Sequence, residues 1–526
     1  MKTIAIFGGG IAGLTVAHEC IQNGFAVHIY EQKAYCGGKA FGRKNEDGLH
    51  VEHSIRTYGA GYHHLFQTLR QIPDGPNRTV FDNLVGLPGV HLVSGQDPRR
   101  NRLLPSPYTT PKVQKLLALL RILRSWQIKP SEAIRFIRLA MDYSLKSNQR
   151  QIHAYQGKSF AQYAKLDTLS PPFREFITSF LDIIVAAKPY ASADVLLQLI
   201  NRIFFPDKVA GLTSTLNVMN GPTNDRFIDP WVRHLQQMGV QFHLGHRLDT
   251  VVLEAGAVKE VLVDKTTHVN ADAYVLAVPF QHVSRLVPCL SLPDKPHREW
   301  SFSYQFYLRE IPADWLRCQT FTLVLDSPWK LVYLVEAAPI WQQVALRPDV
   351  RGILSVTLSN VYTPGRLTGK ALHQCSPEEV QAELLYQLNF QHPDLILDAR
   401  LDNTVAYLPE EAYQQRRHEL VGWNTFPPNE YGCRWLTEST LFIAEPTDEP
   451  GVSVATNLPN LLLAGEFIQT SYRIPTMEQA NESGKLCASR ICQQFGIPYD
   501  LTRFKRPEPP FRRIRQLDAL LMRILH

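Results

Sequence analysis

The spacing of three glycines at the head of the chain restricts what the rest can become. Gly8, Gly10 and Gly13 sit between an apolar, β-branched run, Thr3 to Phe7, and a stretch of helical spacing in which Ile11, Leu14, Ala17 and Ile21 share a face. A second strand follows over Ala26 to Tyr30 and ends on Glu31. Gly8 permits a tight turn out of the strand, Gly10 lets a pyrophosphate approach the backbone, and Gly13 lets the helix pack closely on the sheet. The phosphate charge then meets the first helix amides, which have no intrahelical partner. Glu31 lies eighteen residues after Gly13, where its carboxylate can accept hydrogen bonds from both hydroxyls of an adenosine ribose. An unprimed ribose is expected, not a 2′-phosphate. A lone Gly-x-Gly-x-x-Gly is weak evidence; strand, glycines, helix, strand and terminal acid in register are strong.

Beyond Glu31 comes Cys36-Gly37-Gly38-Lys39, where two successive glycines let the chain bend around the far side of the same dinucleotide. Lys39 and Arg43 either approach phosphate or ribityl oxygens or lie in a solvated loop. A strand over Gly48 to His53 leads into SIRTYGAGYHH, Ser54 to His64, in which Arg56, Tyr58, His63 and His64 stand beside aromatics. Such a segment suits an active-site wall, and equally a polar-aromatic interface.

At 526 residues, 44% hydrophobic and 20% charged, the chain has the composition of a folded protein of two or three domains. Its eight cysteines form no Cys-x-x-Cys pair, which argues against a zinc site or a disulfide scaffold and suits a reducing compartment. The nucleotide strand begins at Thr3, so no leader peptide is expected, and no uncharged apolar run reaches the roughly 20 residues needed to span a bilayer. A cytoplasmic protein follows from this reading. The net charge of +6 comes with no nucleic-acid-binding module, so DNA or RNA is not an expected partner.

Charge is not spread evenly. Residues 99–150 hold twelve Lys or Arg and only two acids, Glu132 and Asp142, with apolar groups clustered at Leu116 to Leu123 and Ile134 to Leu139. Helices of this kind either lie on an anionic membrane surface or are core helices with a basic outer face. The tail after Leu501 repeats the theme, with seven Lys or Arg and with Ile514, Leu517, Leu521 and Ile524 at helical spacing.

The chain then leaves the nucleotide fold and returns to it. Asp229 to Gly239 reads as a helix, and Val240 to His243, Val251 to Glu254 and Val258 to Val263 read as antiparallel strands. Asp272 to Val278 reads as a strand rejoining the main sheet. Trp300 to Trp341 and Ile353 to Tyr362 are sheet-like, and Pro377 to Leu388 is helical. Leu461 to Glu466 is a buried strand closing on a glycine and an acid, and Pro475, Thr476 and Met477 open a last helix. The expected division is a first cofactor-binding segment over 1–90, a mainly helical segment over 91–225, a second cofactor-binding segment over 226–290, a mixed-sheet substrate segment over 291–430, a last cofactor-binding segment over 431–500 and a basic tail over 501–526.

The opening GGGIAG with Glu31 and Gly37-Gly38, combined with the late LLLAGEFIQTSYRIPTMEQANESG, resembles the flavoprotein superfamily of amine oxidases and carotenoid desaturases. EHSIRTYGAGYHHLFQTLRQIP, TVFDNLV and QFYL followed by DSPW look closest to its phytoene-desaturase-like branch. The resemblance implies an α/β fold, a Rossmann-type FAD-binding domain of the glutathione-reductase kind interleaved with a substrate domain of mixed sheet and helices. It implies FAD in extended form, with Gly8, Gly10, Ile11, Ala12, Gly13 and Glu31 holding the ADP half and Gly37, Gly38, Lys39, Gly465, Glu466 and Met477 approaching the ribityl and ring portions. No metal is expected. The implied chemistry is hydride removal from a C–H bond of a long apolar, carotenoid- or isoprenoid-like substrate to flavin N5, with substrate drawn from a membrane. Two alternatives stay open: an amine or amino-acid oxidase, with Arg56 clamping a carboxylate and Tyr58, Trp423 or Trp435 lining the cavity, and a flavin-binding protein without catalysis. Some amine oxidases attach the flavin to a cysteine, and Cys433 lies in the corresponding region without matching neighbours.

Overall fold

The computed structural model describes residues 1–290, 292, 298–313, 315, 319–360, 362–401, 405–407, 435–437, 440–442, 451–504 and 511–525. Its organising layer is a five-stranded parallel sheet in the order Gln241–Leu244, Ala26–Glu31, Thr3–Phe7, Ala273–Leu276 and Leu461–Leu463. The central strands are buried on both faces, which is why Ile4, Ala5, Ile6 and Phe7 run without polar alternation. Helices Ile11–Gln22 and Met477–Gln494 cover one face and pack closely on each other. A side chain at Gly484 would meet Thr15 Cβ at 2.6 Å and the Ala12 carbonyl oxygen at 2.7 Å.

Val240 to His243 was expected among antiparallel strands, and the structure corrects that reading. The strand Gln241–Leu244 runs parallel to Ala26–Glu31 at the sheet edge, because the helix Asp229–Gln237 returns the chain to the same end of the sheet before it starts. Only Leu248–Glu254, Ala257–Val263 and Thr267–Val269 form the antiparallel meander.

A second, seven-stranded sheet is ordered Ile396–Leu401, Phe302–Leu308, Gly352–Leu358, Leu331–Glu336, Phe321–Val324, Gly89–Val93 and Arg102–Pro105. Two of its strands, Gly89–Val93 and Arg102–Pro105, stand at the head of the stretch expected to be mainly helical; the helices Lys112–Ser125, Pro130–Leu145, Pro171–Val185 and Ala193–Phe204 follow. The turn-rich segment 213–224 contains a strand, Leu216–Met219, paired with Tyr58–Gly59 and Leu84–Gly86. Cys433 and Trp423 lie outside the described residues, as does the side chain of Trp435.

Candidate active site

One cavity of about 950 Å³ runs between these layers, from the glycine turn at the first strand to the helical segment. Its two ends differ in chemistry, and each difference follows from local sequence.

At the first end the backbone itself is the surface. Gly8 has φ +112°, and a Cβ there would sit 2.4 Å from the Ala277 carbonyl oxygen. Gly13 is closer still, with a Cβ 2.0 Å from the Gly8 carbonyl oxygen, so it does not line the cavity but lets the helix start against the turn. The helix begins at Ile11 after Gly10, which offers no side-chain cap. The first amides therefore face the cavity through Gly10, Ile11 and Ala12 with no intrahelical acceptor. Gly37-Gly38 bends back onto this turn: Gly37 N donates to the Gly9 carbonyl at 2.9 Å, and a Cβ at Gly38 would lie 3.0 Å from Gly10 Cα. Uncapped amides at a helix N-terminus and a glycine cradle that no side chain can enter are what a pyrophosphate requires.

Glu31 ends the second strand with its carboxylate folded under this cradle. Oε2 accepts from Gly9 N at 2.7 Å and Oε1 from Lys33 N at 3.0 Å, and the residue lines the cavity. Both oxygens keep a second lone pair for a ribose. Cys36 lies against Gly9, and burial, with the charge of Glu31 beside it, pushes its thiol up to about 12. It is therefore an un-ionised filler and not a nucleophile.

Farther along, Lys39 forms an ion pair with Glu466 on the wall, and Gly465 N is held by Ser483 Oγ at 2.9 Å. Pro475, Thr476 and Met477 bring the N-terminus of the helix Met477–Gln494 to the same wall. The donor set fits an extended FAD: helix amides for phosphate, a carboxylate for ribose, an ion pair and a second helix start toward the ring.

Arg56 lines the cavity, but its guanidinium is committed to backbone. It donates to the carbonyls of Lys39 at 2.5 Å, of Ser54 at 3.1 Å and of His53. Tyr58 is a correction. Its ring is fully buried and edge-on to Tyr62 and Phe227, away from the cavity that its chain neighbours Thr57 and Gly59 line. His63 and His64 turn away into pairs with Asp207 and Glu478, at 2.8 and 2.9 Å. The wall residues that sequence reading passed over are Tyr62, Tyr472 and Arg202. The two tyrosine rings meet edge to face at 5.8 Å, and burial pushes the Tyr62 hydroxyl well above the usual phenol range. Arg202 pairs with Asp207. Tyr62 and Tyr472 both lay inside the two quoted segments, so the aromatic content there was the available signal.

At its other end the cavity is apolar. Leu119, Ile122, Phe136, Phe173, Phe176 and Phe180 project inward from three helices, the last two rings stacked at 6.3 Å. The outer side of Lys112–Ser125 is apolar too: Val113, Leu116, Leu117 and Leu120 are 46 to 69% exposed. Among the described residues no helix is long and apolar enough to cross a membrane.

A family model described as flavin containing amine oxidoreductase matches residues 11–492. Among similar proteins, a zeta-carotene desaturase from Synechocystis sp. is 22% identical, over 93% of this chain and 96% of its own. A 15-cis-phytoene desaturase of an Oncidium hybrid cultivar is 22% identical, over 94% of this chain and 78% of its own. Among solved structures, putrescine oxidase bound to putrescine superimposes with a TM-score of 0.61 at 14% identity, covering 94% of this chain and 99% of that one, a likeness of fold.

Proposed function

Because the chain belongs to the flavin-containing amine oxidoreductase family, an FAD-dependent oxidoreductase fold, we propose that it dehydrogenates a long apolar, carotenoid- or isoprenoid-like molecule. FAD, when bound, supplies the acceptor for two electrons as a hydride at flavin N5. The chain's own residues do the rest. The glycine turn, Glu31 and the Lys39–Glu466 pair hold and orient the cofactor, and the phenylalanine-lined end holds the substrate by apolar burial and keeps water from the reacting C–H bond.

The observation that carries this reading is the composition of the cavity beyond Tyr62 and Tyr472, where three helices contribute aliphatic and phenyl side chains. An amino-acid substrate would ask Arg56 for a carboxylate clamp, and that guanidinium already serves three carbonyls. We further read the Lys112–Ser125 helix as the contact with a membrane surface: its inner face lines the cavity, its outer face exposes four large apolar residues, and Lys112, Arg121 and Arg124 flank them.

The test is anaerobic. Protein loaded with FAD and mixed with vesicles carrying phytoene or zeta-carotene is expected to lose its oxidised-flavin absorbance while the polyene gains conjugated double bonds. Loss of that absorbance with putrescine or cyclohexylamine, and none with the polyenes, would overturn the reading.

A further inference from the structure

Behind the cavity wall, where the nucleotide-binding layer meets the seven-stranded sheet, two carboxyl groups are buried near the half-buried guanidinium of Arg56. The strand His50–Glu52 lies across that sheet: Glu52 N donates to Gln305 Oε1 at 3.2 Å, and the Tyr307 hydroxyl donates to the His50 carbonyl at 2.9 Å. Gln305 Nε2 donates to Ser355 Oγ at 3.2 Å, and that hydroxyl donates to Glu336 Oε2 at 2.5 Å. On the other side, the Glu52 carboxylate accepts from Thr223 N at 2.6 Å and Thr223 Oγ1 at 2.8 Å. Glu52 is 4% exposed and Glu336 6%. Four residues after Glu52, Arg56 reaches the cavity and donates to the Lys39 carbonyl.

An arginine stays protonated throughout the accessible pH range. Two ionised carboxylates beside it in a dry interior leave one uncompensated negative charge, at a cost of several kcal/mol. One added proton makes the group neutral. The carboxyl groups are not equivalent: Glu52 has two hydrogen-bond donors and the nearby charge of Arg56, whereas Glu336 has Ser355 and faces the like charge of Glu52.

We propose that Glu52 and Glu336 hold a single proton between them behind Arg56, and that this neutral triad is the positioning device that fixes the guanidinium against the Lys39 carbonyl on the cofactor side of the cavity. Burial and the charge of Glu52 push Glu336 up to about 8, so the proton resides on Glu336 at neutral pH. Glu52 is raised by burial, against the pull of Arg56 and Thr223. Among the described residues, the other groups facing the triad are Asp225, which bears on Glu52 and His50, and Tyr58, Tyr307 and His50 themselves. Lys44 bears on His50, and Arg400 and Asp398 on Tyr307. Loss of the Glu336 proton places a negative charge behind the wall and disfavours electron uptake by a flavin in the cavity. The proposal rests on the assignment of the cavity to FAD and not on the substrate.

The experiment is infrared spectroscopy of the FAD-loaded protein and of the same protein stripped of flavin, alongside the flavin midpoint potential as a function of pH. Wild type is expected to show a carboxylic C=O band at neutral pH that disappears through pH 8, with a break in the potential in the same range. Glu336→Gln, which keeps the shape and the Ser355 contact, is expected to lack both band and break. Glu52→Gln removes the ionised carboxylate of the pair from behind Arg56 and is expected to retain flavin about tenfold more weakly. A wild-type protein with no such band, or a band and break that survive in Glu336→Gln, would overturn the proposal. The wild-type band decides even if a variant fails to fold. A protein that shows the band yet takes up no FAD would instead sink the cofactor assignment.

Discussion

Lys39 and Glu466 stand 427 positions apart in the chain and meet as an ion pair on the cavity wall. One follows the paired glycines after the second strand; the other closes the last strand of the same sheet. Both are partly exposed, so the pair itself contributes on the order of 1 kcal/mol or less. Lys39→Ala and Glu466→Ala are each expected to weaken FAD retention several-fold, and the double variant by less than the product of the two. Flavin released on dilution measures this, and independent, multiplying effects would show that the two residues do not act as a unit.

Glu31→Ala removes the acceptor of two backbone amides as well as the group assigned to the ribose. The expected loss is about 2 kcal/mol of FAD binding. Fluorescence titration of the stripped protein with FAD and with riboflavin separates the causes: FAD affinity falls and riboflavin affinity does not.

Gly13→Ala places a methyl group 2.0 Å from the Gly8 carbonyl oxygen, and that oxygen is backbone with nowhere to move. The cost expected from overpacking is about 1–3 kcal/mol or more. Thermal unfolding without FAD should register it, and an unchanged midpoint would mean that the helix is set back from the turn.

Lys485 lies within the helix Met477–Gln494, its Nζ donating to the His64 carbonyl at 3.1 Å, and burial lowers it to about 8 from 10.5. Above about pH 8 the folded chain has released this proton while the unfolded chain retains it up to about 10.5. The unfolded state then binds more protons, so this residue makes stability rise with pH across that window. Lys485→Met is expected to flatten that rise in chemical denaturation measured from pH 7.5 to 10.5.

Leu116→Asp combined with Leu120→Asp puts two charges on the outer face of the Lys112–Ser125 helix without touching its cavity side. Flotation with anionic vesicles should fall sharply, while FAD content stays as in the parent. Unchanged flotation would move the membrane contact elsewhere; the C-terminal helix Arg512–Leu525, with Ile514, Leu517, Leu520 and Leu521 exposed, is then next to test.

The nucleotide end of the site was legible because it is made of backbone. Gly8, Gly10, Gly13 and Glu31 act through local turn geometry, and that geometry is written in consecutive residues. Tyr58 was misjudged because its ring packs against Phe227, a partner far along the chain that its own segment does not encode. The partners of Glu52 were not legible: Gln305, and through it Ser355 and Glu336, reach that residue through sheet register over about 250 to 300 positions, which no local pattern encodes. Tyr62 and Tyr472 fall between these cases, each in a recognisable segment but brought together only by folding.

The parallel sheet draws its five strands from residues 3–7, 26–31, 241–244, 273–276 and 461–463, and the last of them supplies the wall that carries Glu466. During synthesis, the opening βαβ unit therefore leaves the ribosome with both edges open; its two neighbours follow near the middle of the chain, and the strand that carries the wall comes only near the end. Cofactor capture is then a late event in the life of each nascent chain. Truncation after the substrate-facing helices should yield a product that aggregates through those open edges instead of a smaller flavoprotein.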